Sequence, residues 1–91
     1  MIDQKDVIQY RDYRCRIKIR PSFDGREVKP GMWEHDGKEF VLQVMWIQDE
    51  NDKYPGEYAW ADSYRSKVKM NDVMNIGWIS GGDIEVLEPV T

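Results

Sequence analysis

Residues 14–20 read Arg-Cys-Arg-Ile-Lys-Ile-Arg, a strict alternation of cationic and apolar side chains. Successive side chains of a strand point to opposite faces, so this stretch is expected to be a half-buried strand. Cys15, Ile17 and Ile19 would enter a core, and Arg14, Arg16, Lys18 and Arg20 would stand in water. Cations on an outer strand also discourage edge-to-edge pairing with other chains. Pro21 ends the strand, because it has no N–H to give to a ladder.

The comb also raises a question of function, because the chain as a whole is acidic, with a net charge of −4. Residues 1–30 carry +3 and residues 31–91 carry −7. Such asymmetry marks either opposed binding faces or a solvated surface of mixed sign. If Arg14, Arg16, Lys18 and Arg20 all met phosphates, the log–log salt slope would be at most about −3.6, which is weak binding. Tyr10 and Tyr13 flank the comb, and small barrels do bind oligonucleotides on a sheet face with interleaved aromatics. A nucleic-acid-binding barrel is therefore one alternative. A second is an acidic DNA mimic, with residues 34–57 occupying a nuclease or repressor groove.

Downstream, turn chemistry punctuates short apolar runs. Asp24-Gly25 and Pro30-Gly31 mark turns. The segment 33–40 (WEHDGKEF) reads as a hairpin around Asp36-Gly37, with Trp33–His35 and Lys38–Phe40 as its arms. Residues 40–47 (FVLQVMWI) are nearly all apolar, as expected of a central strand covered on much of both faces. Residues 48–57 read as a polar loop. Residues 58–64 return as the partner strand, with Tyr58 and Trp60 on one face. For residues 63–76 the alternation in SKVKM favours a strand followed by irregular chain, and a helix starting at Asp62 or Ser63 is the other option. Ile84, Val86 and Leu87 form a last strand, stopped by Pro89. Residues 1–12 read as an arm or a short helix. The 91 residues thus amount to one all-β domain of five to six short strands, a small antiparallel barrel or roll.

Residues 77–87 (GWISGGDIEVL) resemble the C-terminal segment of Src-homology-3-type barrels. In that family a Gly-Trp-hydrophobic step leads through a short 3-10 turn into a final strand. The resemblance implies a barrel of that kind. The Ala-Leu-Tyr-Asp-Tyr signature and the Trp-Trp pair of eukaryotic members are missing, and Gly81-Gly82 stands where Ser-Asn is usual. No proline-peptide ligand is implied, because the peptide-binding positions have no residue-by-residue match. The short, acidic, tryptophan-rich single module also resembles small accessory proteins of Gram-positive phages and prophages. That likeness implies a phage- or mobile-element-encoded protein.

Chemistry-bearing constellations are scarce, and no enzyme is expected. A structural zinc site needs about four Cys/His ligands, and this chain offers Cys15 and His35. The acidic run from Asp49 has Lys53 and Tyr54 where an EF-hand loop needs a ligand and a glycine. Cys15 faces the core and reads as an inert thiol. Gly81-Gly82 precedes a strand, whereas a phosphate loop opens a helix. No cofactor, metal or catalytic residue is expected. The N-terminus has no apolar signal region and no run reaches membrane-spanning length, so a cytoplasmic protein is expected, monomer or homodimer, with no membrane partner.

Four tryptophans in so short a chain are the strongest binding signal. Trp46 and Trp78 read as core. Trp33, Tyr54, Tyr58 and Trp60 read as a surface patch around the loop that contains Pro55, because exposed aromatics make interface hot spots. The leading expectation is a non-enzymatic protein-interaction module bearing those four residues.

Overall fold

A computed structural model describes residues 1–20, 32–51 and 56–90, apart from the side chains of Met32 and Trp33. Among the described residues five antiparallel strands form one sheet: β1 (Tyr13–Ile17), β2 (Glu39–Ile47), β3 (Tyr58–Asp62), β4 (Ile79–Ser80) and β5 (Ile84–Pro89). The order is β4-β3-β2-β1-β5. β1 to β4 lie side by side in chain order, and a 3-10 turn at Gly81–Asp83 carries the chain back so that β5 pairs with the free side of β1. Among the described residues the α-helical content is a single turn, α1 (Met70–Met74). The protein is all-β, and no described helix is long and apolar enough to cross a membrane.

The alternation in β1 sets the core. Tyr13, Cys15 and Ile17 are buried, and the register places them opposite inward residues of both neighbours. Cys15 faces Phe40 and Val86, Tyr13 faces Leu42, and Ile17 faces Ile84. Trp60, fully buried, lies opposite Val44 and Ile79. Its ring meets Tyr13 edge-on with centroids 5.9 Å apart. Met70 and Met74 of α1 complete the cluster. Large aromatic payloads of this kind dominate the energetics of a small core.

The N-terminal arm closes one end of this core through Gln4. It lies in a 3-10 turn, Gln4–Asp6. Its side chain accepts the Trp60 indole N–H at 3.0 Å and donates to the Gly81 and Ile84 carbonyls at 2.6 and 3.3 Å. One amide thus pairs the indole N–H and two backbone carbonyls. The close approach explains Gly81: a Cβ there would collide with the Gln4 carboxamide, and one on Gly82 with the Arg20 guanidinium.

Three expectations change. Trp33–His35 is no hairpin arm. It belongs to a 3-10 turn, Met32–His35, and the strand begins only at Glu39. The Asp36-Gly37 turn docks on the end of β1, where Asp36 accepts the Ile19 N–H at 2.9 Å and Gly37 donates to the Ile17 carbonyl at 2.7 Å. Residues 66–70 (SKVKM) are not a strand; Met70 opens α1. Asp62 accepts the N–H groups of Met70 and Asn71 at 2.5 and 3.2 Å, capping α1 from eight residues upstream and drawing the intervening chain into turns. β2 is central as expected, but its outer face is only half-buried at Val41, Gln43 and Met45, and Trp46 and Ile47 are exposed. The turns expected at Asp24-Gly25 and Pro30-Gly31 lie outside the described residues.

Candidate functional site: the outer face of the sheet

The outer face has two unlike halves. On β5-β1-β2 the cations of the comb meet carboxylates delivered by register. Arg14 is opposite Glu88, and Arg16 is opposite both Glu85 and Glu39. Arg14 binds Glu39 and, at 3.0 Å, Glu88. Arg16 reaches Glu39 at 3.5 Å and Glu85 at 3.6 Å, and Lys18 reaches Glu85 at 3.0 Å. Hydrogen bonding to Arg14 holds the Glu39 carboxyl below its usual range, and the same bond raises Arg14. Opposite charges directly across strands stabilise the pairing.

Arg20 lies beyond β1 and ties three segments together. Its guanidinium grips Glu57 at the foot of β3 and Asp83 of the 3-10 turn, the latter at 3.3 Å, and Ser80 bonds the same Glu57. Burial disfavours the Arg20 charge, but these carboxylates outweigh it and leave the group raised. Every cation of the comb therefore has an acidic partner.

On β2-β3-β4 the outer face is aromatic. Trp46 lies opposite Ala59 and Trp78 immediately precedes β4. The two indoles meet edge-on, with centroids 5.6 Å apart. They are 42% and 41% exposed, and neighbouring Ile47 is 55% exposed, whereas Ala59 is fully buried. Small side chains on β3 leave room for large rings from the strands on either side, and the rings keep one face in water. Exposed aromatic side chains are enriched at the centres of interface hot spots.

The residues expected to bind a partner fare differently. Trp60 is not on the surface: among the described residues it is the largest fully buried side chain, because β3 turns this position toward Val44 and Tyr13. Tyr58 is half-buried and packs against the core. Trp33 sits in its 3-10 turn with its side chain outside the described residues, and Tyr54 lies outside them altogether. Trp46 and Trp78, expected in the core, are the exposed pair. A bulge between Val44 and Trp46 shifts the phase of β2, so Trp46 does not follow Phe40, Leu42 and Val44 inward. Alternation alone gave no signal of that shift.

Burial pushes the Cys15 thiol up to about 12, which leaves no thiolate at neutral pH. His35 contacts the Lys38 ammonium at 3.1 Å. Among the described residues no three His, Cys, Asp or Glu side chains gather to hold a metal. No family model matches the chain, and neither a curated protein nor a solved structure matches it.

Proposed function

We propose that this protein is a non-enzymatic protein-interaction module of the small β-barrel type, Src-homology-3-like in connectivity, and that its contact surface is centred on Trp46 and Trp78. The observation that carries the reading is the exposed indole pair beside Ile47. Such a patch gains more from burial against a partner than from water. Tyr58, Trp33 and Tyr54 remain part of the proposed surface, and Trp60 supports it from beneath. The strand order, with a 3-10 turn feeding β5, supports the Src-homology-3-like part of the reading. A phage or mobile-element setting belongs to the proposal and rests on the sequence resemblance alone.

Nucleic-acid binding through Arg14, Arg16, Lys18 and Arg20 is the less favoured reading, because their charge is already met by Glu39, Glu85, Glu88, Glu57 and Asp83. Releasing those partners to reach phosphate would cost much of what the phosphates return. The test is affinity capture from the native host's lysate, with and without nuclease, using wild type, Trp46→Ser/Trp78→Ser and Arg14→Gln/Arg16→Gln. A protein captured by wild type and the arginine variant but lost with the tryptophan variant is expected. Capture that vanishes on nuclease treatment or with the arginine variant would reverse the ranking.

A further inference from the structure

A second surface lies where β2 and β3 part. A groove of about 340 Å³ opens between the first half of β2 and the chain at Arg65–Val68. Phe40, Val41 and Val68 supply its apolar wall, Arg14, Arg65 and Lys67 stand around it, and the Glu39 carboxylate, which also lines it, is taken up by Arg14 and Arg16. Arg14 is already held between Glu39 and Glu88. Arg65 stacks on Tyr64 and reaches Asp12 only at 3.7 Å. Lys67 is exposed and meets no carboxylate among the described residues. Residues 63–71 hold Arg65, Lys67 and Lys69 with no acidic residue, a basic lip within the acidic part of the chain.

The backbone at the groove is also open. The Lys38 carbonyl accepts from Ile17 on the β1 side, and the Val41 carbonyl accepts from Ser63 on the β3 side. Ladder groups alternate sides along a strand, so Glu39 turns its N–H and C=O away from β1, toward the side where β3 would continue. The β2–β3 ladder ends at Leu42 opposite Asp62, and only the Ser63 N–H extends it to Val41. The Ser63 carbonyl is turned aside to the Lys69 ammonium at 2.6 Å. Among the described residues nothing pairs with Glu39 on that side.

We propose that this groove receives an extended peptide of a partner protein, added as a strand along Glu39–Val41, with an aliphatic side chain against Phe40, Val41 and Val68 and carboxylates facing Arg65 and Lys67. Strand addition gains affinity from main-chain hydrogen bonds and specificity from alternate side chains. The charge of the lip selects an acidic peptide, which the rest of this acidic protein would repel. The site is separate from the indole pair, so either reading can fail without the other.

The probe is a labelled eight-residue peptide alternating aspartate and valine, with a lysine-valine counterpart, followed by fluorescence anisotropy and by amide hydrogen exchange. The acidic peptide should bind, protect the Glu39 and Val41 amides and leave the Trp46 and Trp78 indole signals unmoved. Arg65→Glu/Lys67→Glu should weaken it by about tenfold or more, since two attractive rim charges become repulsive. Val68→Asp, at an exposed position that leaves the fold intact, should weaken it as well. Three results would each overturn the proposal: no saturable binding of the acidic peptide, equal binding of the lysine peptide, or protection of these amides that grows with protein concentration alone, which would assign the edge to a second copy of the chain.

Discussion

The two halves of the outer face are built on one sheet and share β2, yet they solve opposite problems. The β5-β1-β2 half puts charges outside and satisfies them across strands, Arg14 and Arg16 against Glu39, Glu85 and Glu88. The comb cations on it carry little unmatched charge. The β2-β3-β4 half puts indoles outside and leaves them half in water. The difference teaches that a conspicuous charge pattern can be internally consumed, whereas an unremarkable pair of tryptophans carries the unspent surface. What divides the halves is the bulge at Val44/Trp46, which turns Trp46 from the inward row to the outward one.

The largest effect should come from testing that division with tryptophans. Trp60→Ala empties a fully buried site and should cost about 3–5 kcal/mol, enough to leave a domain of this size barely folded. The double change Trp46→Ser/Trp78→Ser removes an edge-to-face pair on the surface and should cost only about 1–2 kcal/mol. Urea denaturation of both variants measures the gap. Equal losses would mean that the outer pair belongs to the core and that the contrast between the halves is wrong.

Next in size is Asp12, which sits at the seam between the two halves. It is buried and accepts from Ser63 Oγ and Gln43 Nε2, both at 2.6 Å, with Arg65 nearby. Burial alone would raise its carboxyl, but the hydrogen bonds from Ser63 and Gln43 and the Arg65 charge outweigh it and hold the group below its ordinary 3.8. A lowered folded-state pKa stabilises above the unfolded value and is lost as pH falls through the folded one. Asp12→Ala should therefore cost about 1–3 kcal/mol at neutral pH, by leaving the Ser63 hydroxyl without its acceptor. Stability measured from pH 7 downward should converge for wild type and variant only below the ordinary carboxylate range. Convergence well above pH 4 would remove Asp12 from its role at the seam.

How much of this was legible in the chain depends on whether the deciding contact was local. The strands expected at 14–20, at 58–64 and before Pro89 are each present but with other ends: β1 stops at Ile17 and not at Pro21, β3 stops at Asp62, and β5 includes Pro89. The resemblance at residues 77–87 implied the 3-10 turn, which is present at Gly81–Asp83. Three features were settled by distant partners: Asp62 capping α1, Asp36 docking on Ile19, and the Gln4 amide reaching Trp60 and Gly81. The Gln4 and Asp36 contacts span sequence separations no local pattern registers, and Asp62, eight residues before Met70, stands where a cap one residue before the helix would be sought. The assignment of tryptophans to core and surface failed for a subtler reason. One extra residue at Met45 inverts the pattern, and nothing in an almost wholly apolar run marks where it falls.

The smallest effect should come from the comb that first draws the eye. Arg14→Gln/Arg16→Gln removes the cations from Glu39 and Glu88 and leaves Glu85 with Lys18 alone. Exposed pairs contribute little and screen readily, so Tm at low salt should fall by only a few degrees, well short of the tryptophan and Asp12 variants. In about 1 M salt the difference should close almost entirely, since the screening length there is about 3 Å. The same titration on Trp46→Ser/Trp78→Ser should leave its deficit intact or enlarge it, because apolar burial does not screen. A salt-insensitive loss in the arginine variant would mean that this half of the face is held by packing of the arginine stems and not by charge. The division between a charged and an apolar half would then have to be redrawn.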